Sequence, residues 1–363
     1  MTLDIDVRPV LKWVFPRGRV TELLLARPMR LSVWLLRLSS TALSSWIFEK
    51  TLRWRPAPAR PLGIAIEITN ACNLRCTMCN LVKMKRPGRM MDFDVYLKVI
   101  DRCVEAGIQS VRLHTYGETL LHRRLPEMIR AASEQGLSVW ISTNAQLLDA
   151  ERGRAILEAG VQAVRYSIEG TTRETYEKIR KGGKWDILLE NIRAFKTLRD
   201  ELRPHVTIGL NMVVMKDTVD ELSQVVEVLG PYVDEISLSA LEGLGDSGEE
   251  LSKDQRIESL DASSRVPCRL LWEMMNVSVD GKATVCCADV EAENVVGDVL
   301  THDLLAIWRA APLEHFRQLH RRKRFADAKI CSGCSFGTTN TALTRLRYSL
   351  LSERSTPARF RMR

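Results

Sequence analysis

The chain has 363 residues, of which 45% are hydrophobic, and it carries 53 Lys and Arg against 45 Asp and Glu, a formal net charge of +8. This length exceeds the usual size of a single domain, so one large domain with a smaller appendage is expected. The hydrophobic content excludes a disordered or fibrous chain.

The positive charge is concentrated at the two ends of the chain. Residues 1–60 carry 11 Lys and Arg against 4 Asp and Glu, and residues 315–363 carry 12 against 2. The stretch between these ends is net acidic. Basic ends suit an anionic membrane surface, an acidic carrier or nucleic acid, and solvated tails explain them equally well.

The N-terminal region contains an apolar stretch, residues 31–48, with Arg37 as its single charge. A membrane span needs about 20 apolar residues, so no transmembrane helix is expected here. Two interpretations remain open. The stretch either lies on a membrane surface as an amphipathic segment, which would give peripheral membrane association, or docks on the following domain. The proline-rich run at 56–61 predicts a semi-rigid linker.

From residue 63 onward, apolar β-branched runs alternate with helically spaced segments. Strands are predicted over 63–69, 111–116, 137–143, 164–168, 207–214 and 235–241. Helices over 92–106, 121–134 and 149–159 precede glycines or end close to them. This alternation predicts an α/β fold with a parallel sheet, open or closed into a barrel, and ligand sites at the C-terminal strand ends.

Cysteine usage indicates metal ligation. No secretory signal is expected at the acidic start of the chain, so we expect a reducing, cytoplasmic environment rather than disulfides. Cys72, Cys76 and Cys79 form a C-x3-C-x2-C run directly after the first predicted strand. Three thiolates on one loop can face one iron–sulfur cube and leave its fourth iron open to a small chelating molecule. Structural zinc is the alternative, but no nearby histidine completes its four-ligand shell.

This run resembles the signature of the radical S-adenosylmethionine (SAM) superfamily, and the resemblance extends from residue 63 to about residue 241. It implies a partial (β/α)6 TIM-like barrel in which the three cysteines hold a [4Fe–4S] cluster whose open iron binds exchangeable SAM. It also implies cofactor contacts at successive strand ends, by Gly117, Glu118, Ser142, Asn144, Ser167, Glu169 and Arg180. In the family, such residues receive the ammonium, ribose, methionine and carboxylate parts of SAM, and a proline usually stands where this chain has Thr119.

A second cysteine group lies nearer the C-terminus. Cys268 and Cys286 flank a β-hairpin predicted over 277–285 with a two-residue turn at 280–281, and Cys331 and Cys334 form a C-x2-C pair after a helical region around 303–319. Four thiolates can hold zinc or a [4Fe–4S] cluster. The pattern resembles the shortened SPASM, or twitch, domain, which implies one auxiliary [4Fe–4S] cluster on these four cysteines.

Two further cysteines have no assigned ligand role. Cys287 adjoins Cys286, and this adjacency leaves open which of the two would bind the auxiliary cluster. Cys103 lies on the apolar face of the first predicted helix, where core packing is expected. The domains are therefore expected at 1–60 (basic, apolar helical extension with its linker), 61–260 (radical SAM core), 261–340 (auxiliary-cluster domain) and 341–363 (basic tail).

The resemblance implies reductive cleavage of SAM to a 5′-deoxyadenosyl radical, which abstracts hydrogen from a substrate C–H bond. An electron donor such as flavodoxin or ferredoxin is implied as a partner. The twitch resemblance favours a small sugar- or aminocyclitol-like metabolite that is oxidised, epimerised or dehydrated with the help of the auxiliary cluster. A peptide or a lipid-linked substrate remains an alternative, and no general acid or base is identified.

The remote alternative is a non-enzymatic protein that binds zinc and nucleic acid. The basic run at residues 320–324 is its best support. No aromatic stacking platform or helix-turn-helix pattern accompanies this run, so nucleic acid is not an expected partner.

Overall fold

The computed structural model describes residues 56–241, 253–256, 265–334 and 359–360. The chain divides between Pro56 and Ala57, and the contacts discussed below belong to the second unit, Ala57–Arg363. The predicted apolar stretch at 31–48 and most of the basic C-terminal tail lie outside the described residues. Within the described ranges, no helix is long and apolar enough to cross a membrane.

Ten strands form one sheet in the order β10-β6-β5-β4-β3-β2-β1-β7-β8-β9. Their bounds are β1 Gly63–Ile66, β2 Ser110–Arg112, β3 Ser138–Thr143, β4 Ala163–Ser167, β5 Thr207–Val214, β6 Glu235–Ala240, β7 Met274–Val277, β8 Lys282–Thr284, β9 Val295–Asp298 and β10 Arg359–Phe360. The first seven strands pair in parallel, whereas β7, β8 and β9 pair antiparallel. The predicted α/β fold with a parallel core is confirmed.

The α-helices follow the predicted alternation. Their bounds are α1 Phe93–Glu105, α2 Leu125–Glu134, α3 Ala150–Glu158, α4 Arg173–Ile179, α5 Trp185–Leu202, α6 Val225–Val228, α7 Leu270–Glu273, α8 Leu304–Arg309, α9 Ala311–Arg321 and α10 Lys329–Ser332. Side-chain caps explain where several begin: Asp92 accepts from the N–H groups of Asp94 and Val95, and Asp149 from that of Arg152. After α1, Gly107 has φ +65°, a conformation that favours glycine.

The sheet has two chemically different faces. One set of alternating strand residues is apolar and packs with the helices in the main core, as Ile64, Val111, Val139, Val164 and Ile208 do. Successive side chains of a strand point to opposite faces. The residues between them therefore line the other face, here called the inner face, and many are polar: Arg112, His114, Trp140, Ser142, Arg165, Ser167, Asn211 and Ser237.

Two details of the C-terminal part differ from the sequence prediction. The hairpin turn is not the two-residue turn predicted at 280–281, because β7 ends at Val277 and β8 begins at Lys282. The four intervening residues form a turn in which the Gly281 N–H donates to the Ser278 carbonyl at 2.9 Å. The helical region around 303–319 is two helices, α8 and α9, and Pro312 lies in the first turn of the second, where its missing N–H is tolerated.

Candidate active site

The first cysteine loop follows β1, at the C-terminal edge of the sheet. The Leu74 N–H points at the Cys72 Sγ at 3.4 Å. Burial raises the pKa of Cys72 to about 11, and the charges of Glu118, Cys76 and Cys79 act in the same direction. The three thiols are thus close enough to influence one another, and each must lose its proton when a metal binds.

The cysteine loop is held by the segment that follows α4. The Arg75 N–H donates to the Lys181 carbonyl at 2.9 Å, and the Thr77 N–H donates to the Ile179 carbonyl at 3.0 Å. These two bonds bracket Arg180 and bring its guanidinium under the loop. The loop and this arginine are therefore positioned together, although about 100 residues separate them in the sequence.

The Arg180 guanidinium joins two buried acidic groups. Its Nε pairs with Glu169, and its Nη1 lies 3.5 Å from the Cys76 Sγ. Burial alone lowers the pKa of Arg180, but the charges of Glu169 and Cys76 outweigh this effect and the net shift is upward. Burial raises the pKa of Cys76, and Arg180 opposes that rise. The arginine thus favours the thiolate form that a metal needs.

Gly117 brings the end of β2 against the start of the cysteine loop. Its φ is +83°, and a Cβ at this position would lie 2.5 Å from the Thr69 carbonyl oxygen and 2.8 Å from that of Ala71. The next residue continues the contact, since the Glu118 N–H donates to the Ala71 carbonyl at 2.8 Å. Only glycine allows the two backbones to approach this closely.

The Glu118 side chain joins the ends of β2 and β3. Its carboxylate accepts from the Thr143 hydroxyl at 2.6 Å, from the Asn144 N–H at 2.8 Å and from the Leu120 N–H at 3.1 Å. Burial raises the pKa of Glu118, and the hydrogen bonds from Asn144, Thr143 and Leu120 oppose the rise. In this structure the carboxylate therefore serves the fold of the strand ends.

The remaining residues predicted to contact SAM lie at the same edge. The Asn144 side-chain amide donates to the Asn73 Oδ1 at 2.9 Å, inside the cysteine run. The Ser142 hydroxyl lies 3.3 Å from the His114 Nε2. The Ser167 hydroxyl is half-buried and forms no hydrogen bond with a described residue. The fold thus brings all seven predicted contact residues to the edge that carries the three cysteines.

The second cysteine group also converges. Burial raises the pKa of Cys268, and the charges of Cys334, Cys287 and Cys331 raise it further, so these thiols are neighbours. Burial raises the pKa of Cys331 to about 11. Cys286 interacts with Cys287 and Cys268, and its sulfur accepts from the Ala288 N–H at 3.2 Å. At Cys72 the donor is likewise the backbone N–H two residues after the cysteine.

A buried histidine supports the second group. The Cys268 N–H donates to the His320 Nδ1 at 3.0 Å, so the proton of the neutral ring lies on Nε2. That Nε2 is 3.4 Å from the Cys331 Sγ. Burial lowers the pKa of His320 to about 4, which keeps the ring neutral at physiological pH. This contact could not be predicted from the sequence, because His320 stands in a basic run.

Two family models match the chain. That of the radical SAM superfamily covers residues 66–229, and that of the iron–sulfur cluster-binding domain called SPASM covers residues 268–335. The chain thus contains a radical SAM region, residues 66–229, followed by a SPASM region, residues 268–335. Its two domains imply SAM and [4Fe–4S] clusters as cofactors, and the two cysteine groups described above lie in these two matched regions.

Similarity to three of the curated proteins covers slightly less than half of the chain. A tungsten-containing aldehyde ferredoxin oxidoreductase cofactor-modifying protein of Pyrococcus furiosus is 29% identical over 170 residues, 45% of this chain and 47% of that protein. A GTP 3′,8-cyclase of Chlorobaculum tepidum is 32% identical over 171 residues, 46% of this chain and 49% of that protein. A PqqA peptide cyclase of Granulibacter bethesdensis is 26% identical over 168 residues, 46% and 43% respectively. The chain thus spans about half the length of the curated relatives it matches.

Solved structures share the fold at low identity. BtrN in complex with AdoMet and 2-DOIA aligns with a TM-score of 0.56 and 17% identity, over 77% of this chain and 95% of that chain. Streptococcus suis SuiB bound to S-adenosylmethionine aligns with a TM-score of 0.59 and 14% identity, over 99% and 92% respectively. These likenesses show that the chain shares the fold of these two structures.

The residues of both groups fit the implied clusters. Each group offers thiols and at least one backbone N–H directed at a sulfur, the kind of hydrogen bond that adjusts cluster potentials. Within the described ranges, no three His, Cys, Asp or Glu side chains lie close enough to share one metal ion. The ligands of a cube stand farther apart, because each thiolate binds a different iron.

The structure also corrects the interpretation of the basic run at 320–324. His320 is buried beside Cys331, Arg321 pairs with Glu314 at 2.5 Å, and Arg324 pairs with Asp327. At least two of the four cationic side chains are therefore in ion pairs within the fold. The proposal of a nucleic-acid-binding surface loses its best support.

Sequence reasoning missed Tyr116, which lies between the two cysteine groups. Its hydroxyl is 3.4 Å from the Ala288 carbonyl. Burial raises the pKa of Tyr116, and the charges of Cys287, Cys79 and Cys286 raise it further. Tyr116 directly precedes Gly117, so its place in the loop after β2 was available from the sequence, but its proximity to the second group was not.

The two arginines of the inner face were also missed. Arg112 and Arg165 lie on either side of the Trp140 ring, with guanidinium carbons 5.7 Å and 5.2 Å from its centre. A signal for them was present, because apolar and polar residues alternate in β2, β3 and β4. A parallel strand covered by helices on both faces reads as a continuous apolar run, so this alternation indicates one polar face.

Proposed function

We propose that this protein is a radical SAM enzyme in which Cys72, Cys76 and Cys79 hold the catalytic [4Fe–4S] cluster. The observation that carries the proposal is the convergence of these thiols with Glu118 and Arg180 at one edge of the sheet. Three loop thiolates bind three of the four irons of a cube, so the fourth iron stays open for SAM. When bound, the cluster and SAM supply the one-electron chemistry that removes a hydrogen atom from a C–H bond.

The second group is proposed to hold one auxiliary [4Fe–4S] cluster through Cys268, Cys286, Cys331 and Cys334. The contact between the Ala288 N–H and the Cys286 sulfur favours Cys286 over Cys287 as the ligand. Four protein thiolates leave no iron open for a substrate, so electron exchange is the role that suits this site. Flavodoxin or ferredoxin is the proposed class of external electron donor.

The chain's own residues would prepare the site for this chemistry. Arg180 favours the thiolate form of Cys76, and the bonds from Arg75 and Thr77 to residues 179–181 hold the loop. Glu118 fixes the end of β3 through Thr143 and Asn144. These contacts position the cofactor-facing strand ends before any ligand binds, which lowers the cost of ordering them later.

The proposed substrate is a small polar metabolite, sugar- or cyclitol-like, that is oxidised, epimerised or dehydrated. The polar inner face supports this choice, because serine, asparagine and arginine side chains there can bind hydroxyl groups. A peptide is the second candidate, since a PqqA peptide cyclase is among the similar proteins. Other relatives are named for GTP. Similarity over about half of the chain therefore does not identify the substrate.

The test begins with anaerobic purification and a count of iron and sulfide. Dithionite and SAM are then added, and 5′-deoxyadenosine is measured by mass spectrometry. We expect about eight irons per chain, four for each cluster, with slow formation of 5′-deoxyadenosine. Alanine at each of Cys72, Cys76 and Cys79 should abolish that product and leave about four irons.

The matched control is Cys103→Ala, because Cys103 is a buried core residue outside both groups. It should keep both the iron content and the product. Colourless protein that binds zinc instead of iron after reconstitution would refute the proposal. Iron binding with product formation in all three cysteine variants would refute the ligand assignment.

A further inference from the structure

We propose that Arg112 is the anion-binding residue of the substrate site, and that the substrate carries a carboxylate or phosphate group beside its hydroxyl groups. This inference rests on the proposed function, and it narrows the substrate class. It starts from the charges on the inner face of the sheet, where Arg112 of β2 and Arg165 of β4 lie on either side of Trp140.

Arg112 lacks the acidic partner that the neighbouring arginines have. Its guanidinium is half-buried, contacts the Trp140 ring, and forms no hydrogen bond or ion pair with another residue in the described ranges. Burial lowers its pKa and the charges of Arg165 and Arg269 lower it further, whereas the charges of Cys287 and Glu273 act in the opposite direction. A partly buried cation without a counter-ion is costly, and an anionic ligand would offset that cost.

The acidic side chains around Arg112 already pair with other arginines. Glu235 lies 3.4 Å from Arg165, and both side chains are buried. Glu273 lies 3.8 Å from Arg269. Among the described residues discussed here, three arginines thus face two carboxylates, an excess of one positive charge. The same excess disfavours the protonated amine of an aminocyclitol close to Arg112.

Neutral polar side chains lie on the same face of the sheet as the arginines, as the strand register shows. Arg165 lies across Gly209, where a Cβ would come within 3.1 Å of its Nη1, so glycine makes room for the guanidinium. Farther toward the C-terminal edge, Ser167 pairs with Asn211 and Asn211 with Ser237 across three strands.

Two of these groups have fully buried polar atoms without a partner among the described residues. The Asn211 Oδ1 and the Ser237 Oγ are buried and have no hydrogen-bond partner in the described structure. Ser237 as a whole is 7% exposed. Buried polar atoms normally find a partner, so unpaired ones on an inner face point to a ligand. Together with Arg112, they match a hydroxylated anion better than a purely apolar or cationic molecule.

The test measures anion binding to the reconstituted holoprotein under anaerobic conditions, with SAM present. Inorganic phosphate is followed by 31P line broadening and succinate by 1H saturation-transfer NMR. These two probes distinguish a phosphate-bearing substrate from a carboxylate-bearing one. We expect saturable binding of at least one probe, weakened about tenfold or more by Arg112→Gln, since the lost bond is charge-assisted. Arg112→Lys should retain part of the affinity, because lysine keeps the positive charge but cannot bind an anion through two parallel N–H groups as a guanidinium does.

Arg130→Gln is the matched control, because Arg130 is exposed on α2. It should bind both probes as the wild type does. Failure of both probes to bind saturably, or equal binding by Arg112→Gln, would overturn the inference. Loss of half of the iron in Arg112→Gln would also overturn it, because Arg112 would then serve the nearby auxiliary site. The formation of 5′-deoxyadenosine in the same samples reports separately on the proposed function.

Discussion

Replacing Arg180 by methionine tests the ion pair beneath the cysteine loop. Glu169 is 1% exposed, and its carboxylate would lose its guanidinium partner. The nearest other donor, the Val213 N–H at 3.4 Å, is too distant to compensate. Breaking one side of a buried ion pair costs roughly 3–5 kcal/mol, because the remaining charge stays buried. That is a large share of the total stability of a domain, about 5–15 kcal/mol.

The assay is urea unfolding of the reduced, metal-free protein, followed by far-UV circular dichroism. We expect Arg180→Met to lower the free energy of unfolding by roughly 3–5 kcal/mol. Adding Glu169→Gln removes the stranded charge, so the double variant should regain about 2 kcal/mol or more. The control is Arg173→Met, whose partner Asp186 is exposed, and it should match the wild type.

A loss below about 1 kcal/mol for Arg180→Met would place it with ordinary surface substitutions and refute this reasoning. An unchanged stability on adding Glu169→Gln would do the same, since the cost would then not come from the unpaired carboxylate. Either result would mean that Arg180 contributes to ligand binding rather than to the stability of the fold.

Three further predictions follow from single contacts. Cys286→Ser should remove about four irons, whereas Cys287→Ser should keep them, as counted by iron analysis; the reverse would reassign the ligand. His320→Phe removes the N–H directed at the Cys331 sulfur, so the auxiliary cluster should become harder to reduce. An EPR redox titration measures this, and an unchanged reduction potential would contradict the hydrogen bond. Burial raises the pKa of Glu221, but hydrogen bonds from neighbouring threonines lower it overall. The advantage of the wild type over Glu221→Gln in urea unfolding should therefore be complete above the ordinary pKa of 4.5 and vanish as pH falls through the lowered value; an advantage independent of pH would contradict this.

The sequence predicted the parts of the site that local patterns encode. The C-x3-C-x2-C run follows β1 because both occupy one short segment, and the strand ends that carry Glu118, Asn144 and Glu169 follow from the strand–helix alternation. In a parallel sheet all such ends meet at one edge, so the gathering of these residues needed no three-dimensional information.

The partners of these side chains could not be predicted in the same way. Glu118 is predicted to contact SAM, and the sequence did not indicate that its carboxylate also accepts from Thr143, Asn144 and Leu120. His320 reads as one residue of a basic run, and its contact with Cys331 depends on how α9 packs against α10. Such pairs join distant segments, and hydrophobic periodicity carries no information about which polar groups will meet.

The expected boundary at residue 260 crosses one continuous sheet. β7 pairs with β1 over four residue pairs, from Gly63↔Met274 to Ile66↔Val277. Beyond the strands, the buried Glu67 accepts from the Val279 N–H at 3.3 Å and pairs with Arg86 at 2.5 Å. The Arg86 Nε in turn donates to the Val290 carbonyl. The auxiliary-cluster region therefore completes the edge of the sheet on which the first cysteine loop is built.

We accordingly predict that residues 57–260 do not form a stable domain, whereas residues 57–340 do. Cutting at 260 would expose the hydrogen-bonding edge of β1 and leave Arg86 as the main partner of Glu67, and an open central strand favours aggregation. Urea unfolding of both fragments, reduced and without metal, is the measurement. Cooperative unfolding of 57–260 at the midpoint of 57–340 would show that the two regions fold independently. A broad or absent transition for 57–260 alone would mean that the parallel-sheet core obtains part of its stability from the region that carries the second cysteine group.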